Sequence, residues 1–224
     1  MLPTFRDVVD DALSVAAAAE AAGLDGVFAF DHLWPMGAPT RPALAPFPVL
    51  AAVAASSASL TLGPLVARVG NFSTDELVER YATLSALAPG RVIAALGTGD
   101  DLSQAEQVAY DLGYPSPEER RRLLAEVARR LLPTTPVWIG AGATSTNALA
   151  RELGATLNLW GVAPRRVREH ADDGPVSWAG PLGDDPEGTL SALEDAGASW
   201  AIVSASSQID CLKEWRRTHA VHYG

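Results

Sequence analysis

Apolar and polar positions follow two periods along this chain, and their alternation predicts a repeated order of helix and strand. Apolar residues at helical spacing predict helices over 7–22, 49–57, 74–87, 116–132, 144–153, 164–170, 185–197 and 207–220. Short, almost uninterrupted apolar runs between them predict buried strands over 26–30, 60–67, 92–96, 136–140, 155–160, 176–179 and 199–204. Helices that alternate with strands through short connections are typical of parallel strands with helices outside.

The number of predicted strands is one short of a (β/α)8 barrel. The chain has 224 residues, which fits one barrel of roughly 200 to 250 residues. Only residues 2–5 are available for a strand before the first helix. No linker or repeat divides the sequence. We therefore expect one α/β domain over residues 1–224, a compact TIM-type barrel with a truncated first strand.

Two groups of polar residues stand at the ends of predicted strands, where α/β barrels carry their chemistry. Asp31 and His32 directly follow the uncharged strand 26–30. They are either a catalytic pair or a turn cap beside a packed rim histidine. Gly97, Thr98 and Asp100 follow strand 92–96. The glycine would admit a flat ring and Asp100 would act as an acid or base; the alternative is an ordinary turn with a solvated carboxylate.

The segment after strand 136–140 is a candidate anion site. Small residues lead into a helix at 140–145, and backbone N–H groups at a helix N-terminus favour an anion. A tight strand-to-helix turn explains the segment equally well. Trp160, which ends the next strand, is the strand tryptophan expected to touch a ligand, although core packing is the default for such residues. Arg68 either contacts an acidic group of a cofactor or is exposed to solvent.

The composition of the chain argues against several kinds of partner and site. The net charge of −10 argues against nucleic acid and anionic membranes as partners. No apolar run is long enough to span a bilayer, and no signal peptide is evident. The single cysteine, Cys211, suits a reducing cytoplasm, where we expect the protein to reside. The four histidines lack zinc-binding spacing, so no metal site is expected.

Five segments, in order, carry a resemblance to a known family. They are A-E-A-A-G-L-D-G-V-F-A-F-D-H (19–32), L-T-L-G-P-L-V-A-R (60–68), Y-A-T-L-S-A-L-A-P-G-R-V-I-A-A-L-G-T-G-D (81–100), P-V-W-I-G-A-G (136–142) and A-L-A-R-E-L-G-A-T-L-N-L-W-G (148–161). The chain resembles the bacterial luciferase-like monooxygenases, and among them the flavin- or deazaflavin-dependent oxidoreductases.

The resemblance implies an α/β barrel that holds coenzyme F420 or FMN at the carboxyl ends of its strands. It implies that Asp31 contacts the cofactor and that His32 handles a proton beside the reactive ring. Leu65 and Val66 match a pair that often forms a non-proline cis peptide under the ring. Asp100 matches a catalytic acidic residue of related dehydrogenases.

The same resemblance assigns the rest of the cofactor site. Ala141, Gly142 and Ala143 match the loop that takes the cofactor phosphate, and Asn158 and Trp160 lie beside it. Coenzyme F420 is preferred over FMN because the match is best with deazaflavin-using relatives. A small organic substrate would bind under the loop 34–48, and a homodimer is an open possibility.

A non-catalytic or degenerate flavin-binding barrel is the alternative. The nearly absent first strand favours it, as do Ala143 in place of the family's second glycine and the lack of Asn-Pro over 71–75. An unrelated phosphate-binding isomerase or lyase is disfavoured, since the one lysine, Lys213, stands in the last predicted helix.

Overall fold

The computed structural model describes residues 1–35, 37–204 and 206–219. Its helices are α1 (Asp10–Ala21), α2 (Pro46–Ser56), α3 (Thr74–Leu87), α4 (Asp101–Ala109), α5 (Pro117–Leu131), α6 (Thr144–Glu152), α7 (Pro164–Ala171), α8 (Pro186–Asp195) and α9 (Ile209–His219), the last preceded by a 3-10 turn (Ser206–Gln208). Its strands are β1 (Gly26–Ala29), β2 (Thr61–Pro64), β3 (Ala67–Arg68), β4 (Ala94–Gly97), β5 (Val137–Gly140), β6 (Thr156–Trp160), β7 (Val176–Gly180) and β8 (Ala198–Val203).

All of the strands pair in parallel, and they follow chain order around the barrel. β1 pairs with β2, and β3 to β8 pair successively. β2 and β3 are two parts of the predicted strand 60–67, and the Leu65–Val66 peptide bond between them is cis, as the resemblance implied. A bridge between Leu62 and Val92 links β2 to the segment that enters β4. The predicted (β/α)8 fold is confirmed.

The start of the chain takes the remaining position in the ring. The amino group of Met1 donates a hydrogen bond to the carbonyl oxygen of Val203 in β8, at 2.7 Å. The backbone N–H of Leu2 donates to the carbonyl oxygen of Phe28 in β1, also at 2.7 Å. Met1 and Leu2 therefore lie between β8 and β1 and pair with both.

The side chains form two apolar layers. Inside the barrel, Phe28, Trp138 and Ile202 pack with four further apolar residues: Leu65, Ile93, Ala95 and Ala179. A larger layer between the strands and the helices contains the alternate strand residues and the inward faces of the helices. A parallel strand buried on both faces needs apolar residues at nearly every position, which explains the uninterrupted runs in the sequence.

Two differences from the sequence expectation affect the carboxyl rim. Helix α4 was not predicted, and it stands directly after the β4 end. Helix α2 begins at Pro46, within the expected loop 34–48, since proline is well tolerated in the first helical turn. Residue 220 of the last predicted helix lies outside the described residues. Within the described part of the chain, no helix is long and apolar enough to cross a bilayer.

Candidate functional site

Asp31 lies buried beneath the carboxyl end of β1. Its Oδ2 accepts hydrogen bonds from the backbone N–H of Arg68 at 2.8 Å and from Nδ2 of Asn71 at 3.2 Å. Burial raises the pKa of the Asp31 carboxyl, and the Arg68 charge and these hydrogen bonds oppose that rise. The side chain thus joins the end of β1 to the segment after β3, which is a structural task; its cofactor contact stays a prediction.

His32, the next residue, faces the rim and is held by a carboxylate. Its Nδ1 lies 2.8 Å from Oε1 of Glu106 in α4, and its side chain is 20 % exposed. Because a carboxylate only accepts hydrogen bonds, Nδ1 carries the proton. Among the residues that the structure describes, Nε2 has no hydrogen-bond partner. The ring is therefore oriented from behind, and its second nitrogen is left for a bound molecule.

Glu106 joins three residues of this site, His32, Leu33 and Arg68, through hydrogen bonds to its carboxylate. It is 1 % exposed, and its Oε2 accepts from the backbone N–H of Leu33 and from Nη2 of Arg68, both at 2.8 Å. Desolvation pushes the pKa of the Glu106 carboxyl up, but the hydrogen bonds from Leu33 and His32 and the charge of Arg68 outweigh it and hold the pKa below its ordinary value. A buried anion consequently stands behind His32.

Arg68 is not exposed to solvent, so that alternative from the sequence is wrong. Its side chain is 4 % exposed and forms an ion pair with Glu106. The backbone N–H of the same residue donates a hydrogen bond to Oδ2 of Asp31. Arg68 thus lies between two buried carboxylates and compensates both.

Sequence reasoning missed Glu106. One signal was available: Asp100 and Ser103 form a capping box, with Ser103 N–H donating to Asp100 Oδ1 at 2.9 Å, and that pattern predicts a helix from residue 101. On such a helix Ser103, Glu106 and Gln107 share one face, and all three are buried.

Asp100 itself is exposed at the rim as the N-cap of α4. Its Oδ1 also accepts from Oγ of Ser103 at 2.6 Å. Burial raises the pKa of the Asp100 carboxyl, but the Ser103 hydrogen bonds and the interaction with His32 lower it by more, so the net shift is downward. Asp100 therefore has a clear structural role, and the catalytic role assigned from the sequence stays a prediction. Thr98 beside it is half-buried, and its hydroxyl donates to the carbonyl of Gly99 at 3.3 Å.

The side chain of Val66 fills the space between the ends of β4 and β5. A Cβ placed on Gly97 would lie 2.4 Å from Cγ2 of Val66, and one placed on Gly140 would lie 3.4 Å from Cγ1. The glycine at 97 is therefore explained by contact with Val66, a different reason from the close approach of a ring that the sequence suggested. Leu65 and Val66 are central to the barrel mouth all the same.

In the predicted phosphate loop, 141–143, two backbone N–H groups already donate hydrogen bonds within the protein. The N–H of Ala141 donates to the carbonyl of Asn158 at 2.7 Å, and the N–H of Gly142 donates to Oδ1 of Asn147 at 3.0 Å. Ala143 is the N-cap of α6, and no side chain caps that helix. The exposed N–H groups that remain for an anion are those at the start of α6, one or two residues after the predicted position.

Aromatic rings line the rim between the ends of β1 and β6. Phe30 stacks on Phe5 with ring centroids 5.2 Å apart, and it also makes an edge-to-face contact with Trp160 at 5.6 Å. Trp160 is 49 % exposed, so it is not packed in the core, and its contact with a ligand stays a prediction. Asn158, by contrast, is buried and donates to Oγ of Ser177 at 3.0 Å. His32 lies 6.4 Å from Phe30, so the aromatic wall and the histidine share one rim.

The structure thus brings the predicted residues to one face, in two linked groups. The β1 and β4 ends meet through Glu106, and the β5 and β6 ends meet through the Ala141–Asn158 hydrogen bond. Val66 and the contact between Phe30 and Trp160 connect the groups. No group of three or more metal-ligating side chains is found over residues 1–35, 37–204 and 206–219.

Comparison with known proteins finds a family model and curated sequences that are similar to this chain. A model of the luciferase-like monooxygenase family matches residues 2–134. An F420-dependent glucose-6-phosphate dehydrogenase of Beutenbergia cavernae is 33 % identical over 135 residues, which are 60 % of this chain and 38 % of that protein. The match therefore spans less than half of the curated relative.

Two solved structures share the fold. An F420-dependent secondary alcohol dehydrogenase, in complex with an F420–acetone adduct, superposes with a TM-score of 0.77 at 14 % identity, covering 92 % of this chain and 93 % of that one. The coenzyme F420-dependent tetrahydromethanopterin reductase of Methanopyrus kandleri gives 0.76 at 13 % identity, covering 98 % and 97 %. At such identities the likeness supports the fold alone.

Proposed function

The chain belongs to the luciferase-like monooxygenase family, and on that basis we propose that it is an oxidoreductase. It passes a hydride between a deazaflavin of the F420 type and a small organic substrate, with FMN as the second cofactor candidate. The preference for F420 rests on the names of curated relatives such as the Beutenbergia cavernae enzyme. When bound, the cofactor supplies the hydride donor or acceptor.

The residues at the rim fit such a cofactor. The start of α6 offers exposed N–H groups and no competing side-chain cap, which suits a phosphate. Val66 gives the mouth an apolar floor, and Phe30 and Trp160 give it aromatic walls, which suit a flat ring. Because the net charge is −10, these local donors rather than the overall field hold the anionic part.

The observation that carries the proposal is the hydrogen bond between His32 and Glu106. In the oxidation of an alcohol, hydride transfer from carbon is accompanied by loss of the hydroxyl proton, and Nε2 of His32 takes that proton. The imidazolium that forms is stabilised by the buried Glu106 carboxylate, which the N–H of Leu33 and the guanidinium of Arg68 hold in position. In the reverse direction Nε2 gives the proton back. Asp100 is the second acid–base candidate at the same rim.

The aromatic wall also bears on the substrate. Phe5, Phe30 and Trp160 offer ring faces and edges but no charge, so an uncharged organic molecule suits them. The substrate class we propose is a small, uncharged alcohol or its carbonyl product. A homodimer, a cytoplasmic location and a single-domain organisation stay predictions.

Replacement of His32 by alanine tests the proposal. We expect His32→Ala to bind F420 with nearly unchanged affinity, measured by quenching of F420 fluorescence, and to lose turnover with whichever of a panel of small alcohols the unaltered protein oxidises. His170→Ala is the control, because His170 is a surface residue on α7 that contacts Arg151. Undiminished turnover in His32→Ala would remove His32 from the mechanism.

The degenerate barrel keeps a place as the second candidate because the carboxylate of Asp100, the second acid–base candidate, is engaged by Ser103 as the N-cap of α4. It differs in one measurable way. A degenerate barrel binds the cofactor but reduces or oxidises it with no alcohol or carbonyl in the panel, and His32→Ala then changes nothing.

A further inference from the structure

The end of α4 exposes large apolar side chains beside the candidate site. Val108 is 60 % exposed, Tyr110 is 56 % exposed and Leu112 is 39 % exposed; together they are called the α4-end cluster. The described buried residues of this helix are instead polar, whereas a surface helix normally buries its apolar side chains. A contiguous group of exposed apolar side chains is a candidate binding surface.

The backbone at the end of α4 forms a Schellman motif. The N–H of Leu112 donates to the carbonyl oxygen of Gln107 at 2.9 Å, and the N–H of Asp111 donates to that of Val108 at 3.1 Å. In this motif an apolar residue at the position of Leu112 often packs against the last turns of the helix. Here the residues at those positions are Gln107 and Glu106, which are polar and buried, so Leu112 stays exposed.

Asp111, at the turn of this motif, has a backbone conformation that side chains disfavour. Its φ is +55°, and it is the one non-glycine residue with a positive φ over 1–35, 37–204 and 206–219. Helix ends of this kind usually carry glycine there, because a Cβ opposes a positive φ. Such conformations are found preferentially at functional sites. The conformation of Asp111 and the exposed cluster are thus two separate indications that 108–112 has a task beyond folding.

The α4-end cluster adjoins His32. Glu106, which holds the ring of His32, lies four residues before Tyr110, so about 6 Å of helix separates them at ~1.5 Å per residue. Trp34 follows His32 by two residues, and its ring contacts that of Tyr110 with centroids 5.9 Å apart. The buried pair of His32 and Glu106 is therefore followed, toward solvent, by the pair of Trp34 and Tyr110.

The size and charge of this surface suit part of a small molecule. Three partly exposed side chains offer a few hundred Å² at most, whereas a stable dimer buries about 800 Å² on each partner. The net charge of −10 also works against contact with a second copy or with an anionic membrane. An uncharged apolar group of a molecule already bound at His32 meets neither objection.

We propose that the α4-end cluster and Trp34 bind an apolar substituent of the alcohol whose hydroxyl group meets Nε2 of His32. This inference rests on the proposed function and narrows its substrate class to alcohols, or their carbonyl products, with an apolar chain or ring. The substituent reaches roughly five carbon atoms from the reacting carbon, which is the length of the ~6 Å between Glu106 and Tyr110. The reaction is unchanged: the hydride goes from the reacting carbon to the deazaflavin, and the hydroxyl proton goes to His32.

The test measures kcat/KM for straight-chain alcohols of about three to eight carbon atoms. A methylene group that leaves water contributes roughly a two- to fourfold gain, so kcat/KM should rise by about 30-fold or more between propanol and octanol. In Tyr110→Ala this ratio should fall by about fivefold or more. Leu87→Ala is the matched control, because it removes an exposed apolar side chain at the end of α3 and should keep the ratio. A ratio within one protein is independent of any change in the amount of active protein.

Val108→Ser removes a second member of the cluster and should lower the same ratio, so the test does not depend on one variant. A ratio near one in the unaltered protein would overturn the proposal and leave the oxidoreductase in place. So would a ratio that Tyr110→Ala and Val108→Ser leave at the level of Leu87→Ala. Self-association that disappears in Tyr110→Ala, measured by sedimentation at several concentrations, would assign the cluster to a second copy and overturn it as well.

Hydrogen exchange decides the case in which no alcohol is turned over. With 1-hexanol present, we expect exchange to slow about threefold in peptides that contain residues 107–114 of the unaltered protein and of Leu87→Ala, but not of Tyr110→Ala. That protection without turnover would support the apolar site and refute the proposed oxidation. Absence of both turnover and protection would refute both.

Discussion

Nδ1 of His32 lies 2.8 Å from Oε1 of Glu106, although 74 positions separate the two residues in sequence. The contact joins the end of β1 to α4, the helix that follows β4. It fixes which nitrogen of His32 carries a proton and which one faces a ligand. Glu106 is in turn compensated by Arg68, so orientation of His32 depends on a buried ion pair.

Removal of Glu106 should damage stability as well as turnover. Glu106→Ala leaves the Arg68 guanidinium buried without its carboxylate, and we expect a loss of about 3–5 kcal/mol in the free energy of unfolding, measured by denaturant titration. Glu152→Ala is the matched control, because it breaks an exposed ion pair with Arg129 and should cost no more than ~1 kcal/mol. Equal losses in the two variants would show that the ion pair between Glu106 and Arg68 does not stabilise the fold more than an exposed one does.

Glu106→Gln addresses the positioning of His32. Glutamine keeps the size of the side chain but removes its charge, so the imidazolium that forms on His32 loses its stabilisation. We expect turnover to fall by about 100-fold while F420 affinity changes little. A fall in affinity of the same size would place the effect on cofactor binding instead.

Gly97 should not tolerate a methyl group while Val66 is present. A Cβ at 97 would lie 2.4 Å from Cγ2 of Val66, so Gly97→Ala is expected to cost about 1–3 kcal/mol. Gly142→Ala is the control, because its added Cβ would find no atom closer than 4.0 Å. In the double variant with Val66→Ala, much of the Gly97→Ala cost should disappear. Additive costs would contradict the direct contact.

Glu20 should make stability depend on acidity. Its carboxylate accepts from the hydroxyls of Ser57 and Ser59 at 2.7 and 2.8 Å, and hydrogen bonds from Ser57, then Ser59, lower its pKa from 4.5 to about 2. Because the folded pKa is the lower one, the stabilisation is complete above about pH 4.5 and is lost as the pH falls through about 2.

The measurement is the difference in thermal midpoint between the unaltered protein and Glu20→Gln. It should be largest near neutral pH and shrink toward pH 2, whereas Glu79→Gln, which changes an exposed residue of α3, should show no such trend. A Glu20→Gln difference that stays constant with pH would contradict the assignment.

Trp160 should report on the rim. It is 49 % exposed and touches Phe30, so a ring bound at the barrel mouth is expected to quench its emission. Trp160→Phe should remove a large part of the ligand-dependent change in tryptophan fluorescence. Trp178→Phe, a buried residue whose Nε1 bonds to Val162, should leave that change in place. The reverse result would move the binding site away from β6.

Much of the fold could be predicted because buried parallel strands and amphipathic helices leave periodic apolar patterns. α4 escaped prediction for a physical reason: its described buried residues, Ser103, Glu106 and Gln107, are polar, so apolar periodicity does not reveal its inward face. Its signal lies in the capping box at Asp100 alone.

The site was predictable at the strand ends but not in its contacts. The sequence places Asp31 and His32 after β1, yet it does not show that Asp31 turns inward to Asn71 while His32 faces the rim. The glycine at 97 is required by contact with Val66, which lies between β2 and β3 and is distant in sequence. Such pairings depend on the closed ring of strands and not on local sequence.

Titration of the purified protein with F420 tests the central claim most directly. The account predicts saturable quenching of F420 fluorescence with a Kd near or below about 10 µM, relieved by competing FMN if both use the same rim. Absence of saturable binding of both F420 and FMN up to roughly 100 µM would contradict it.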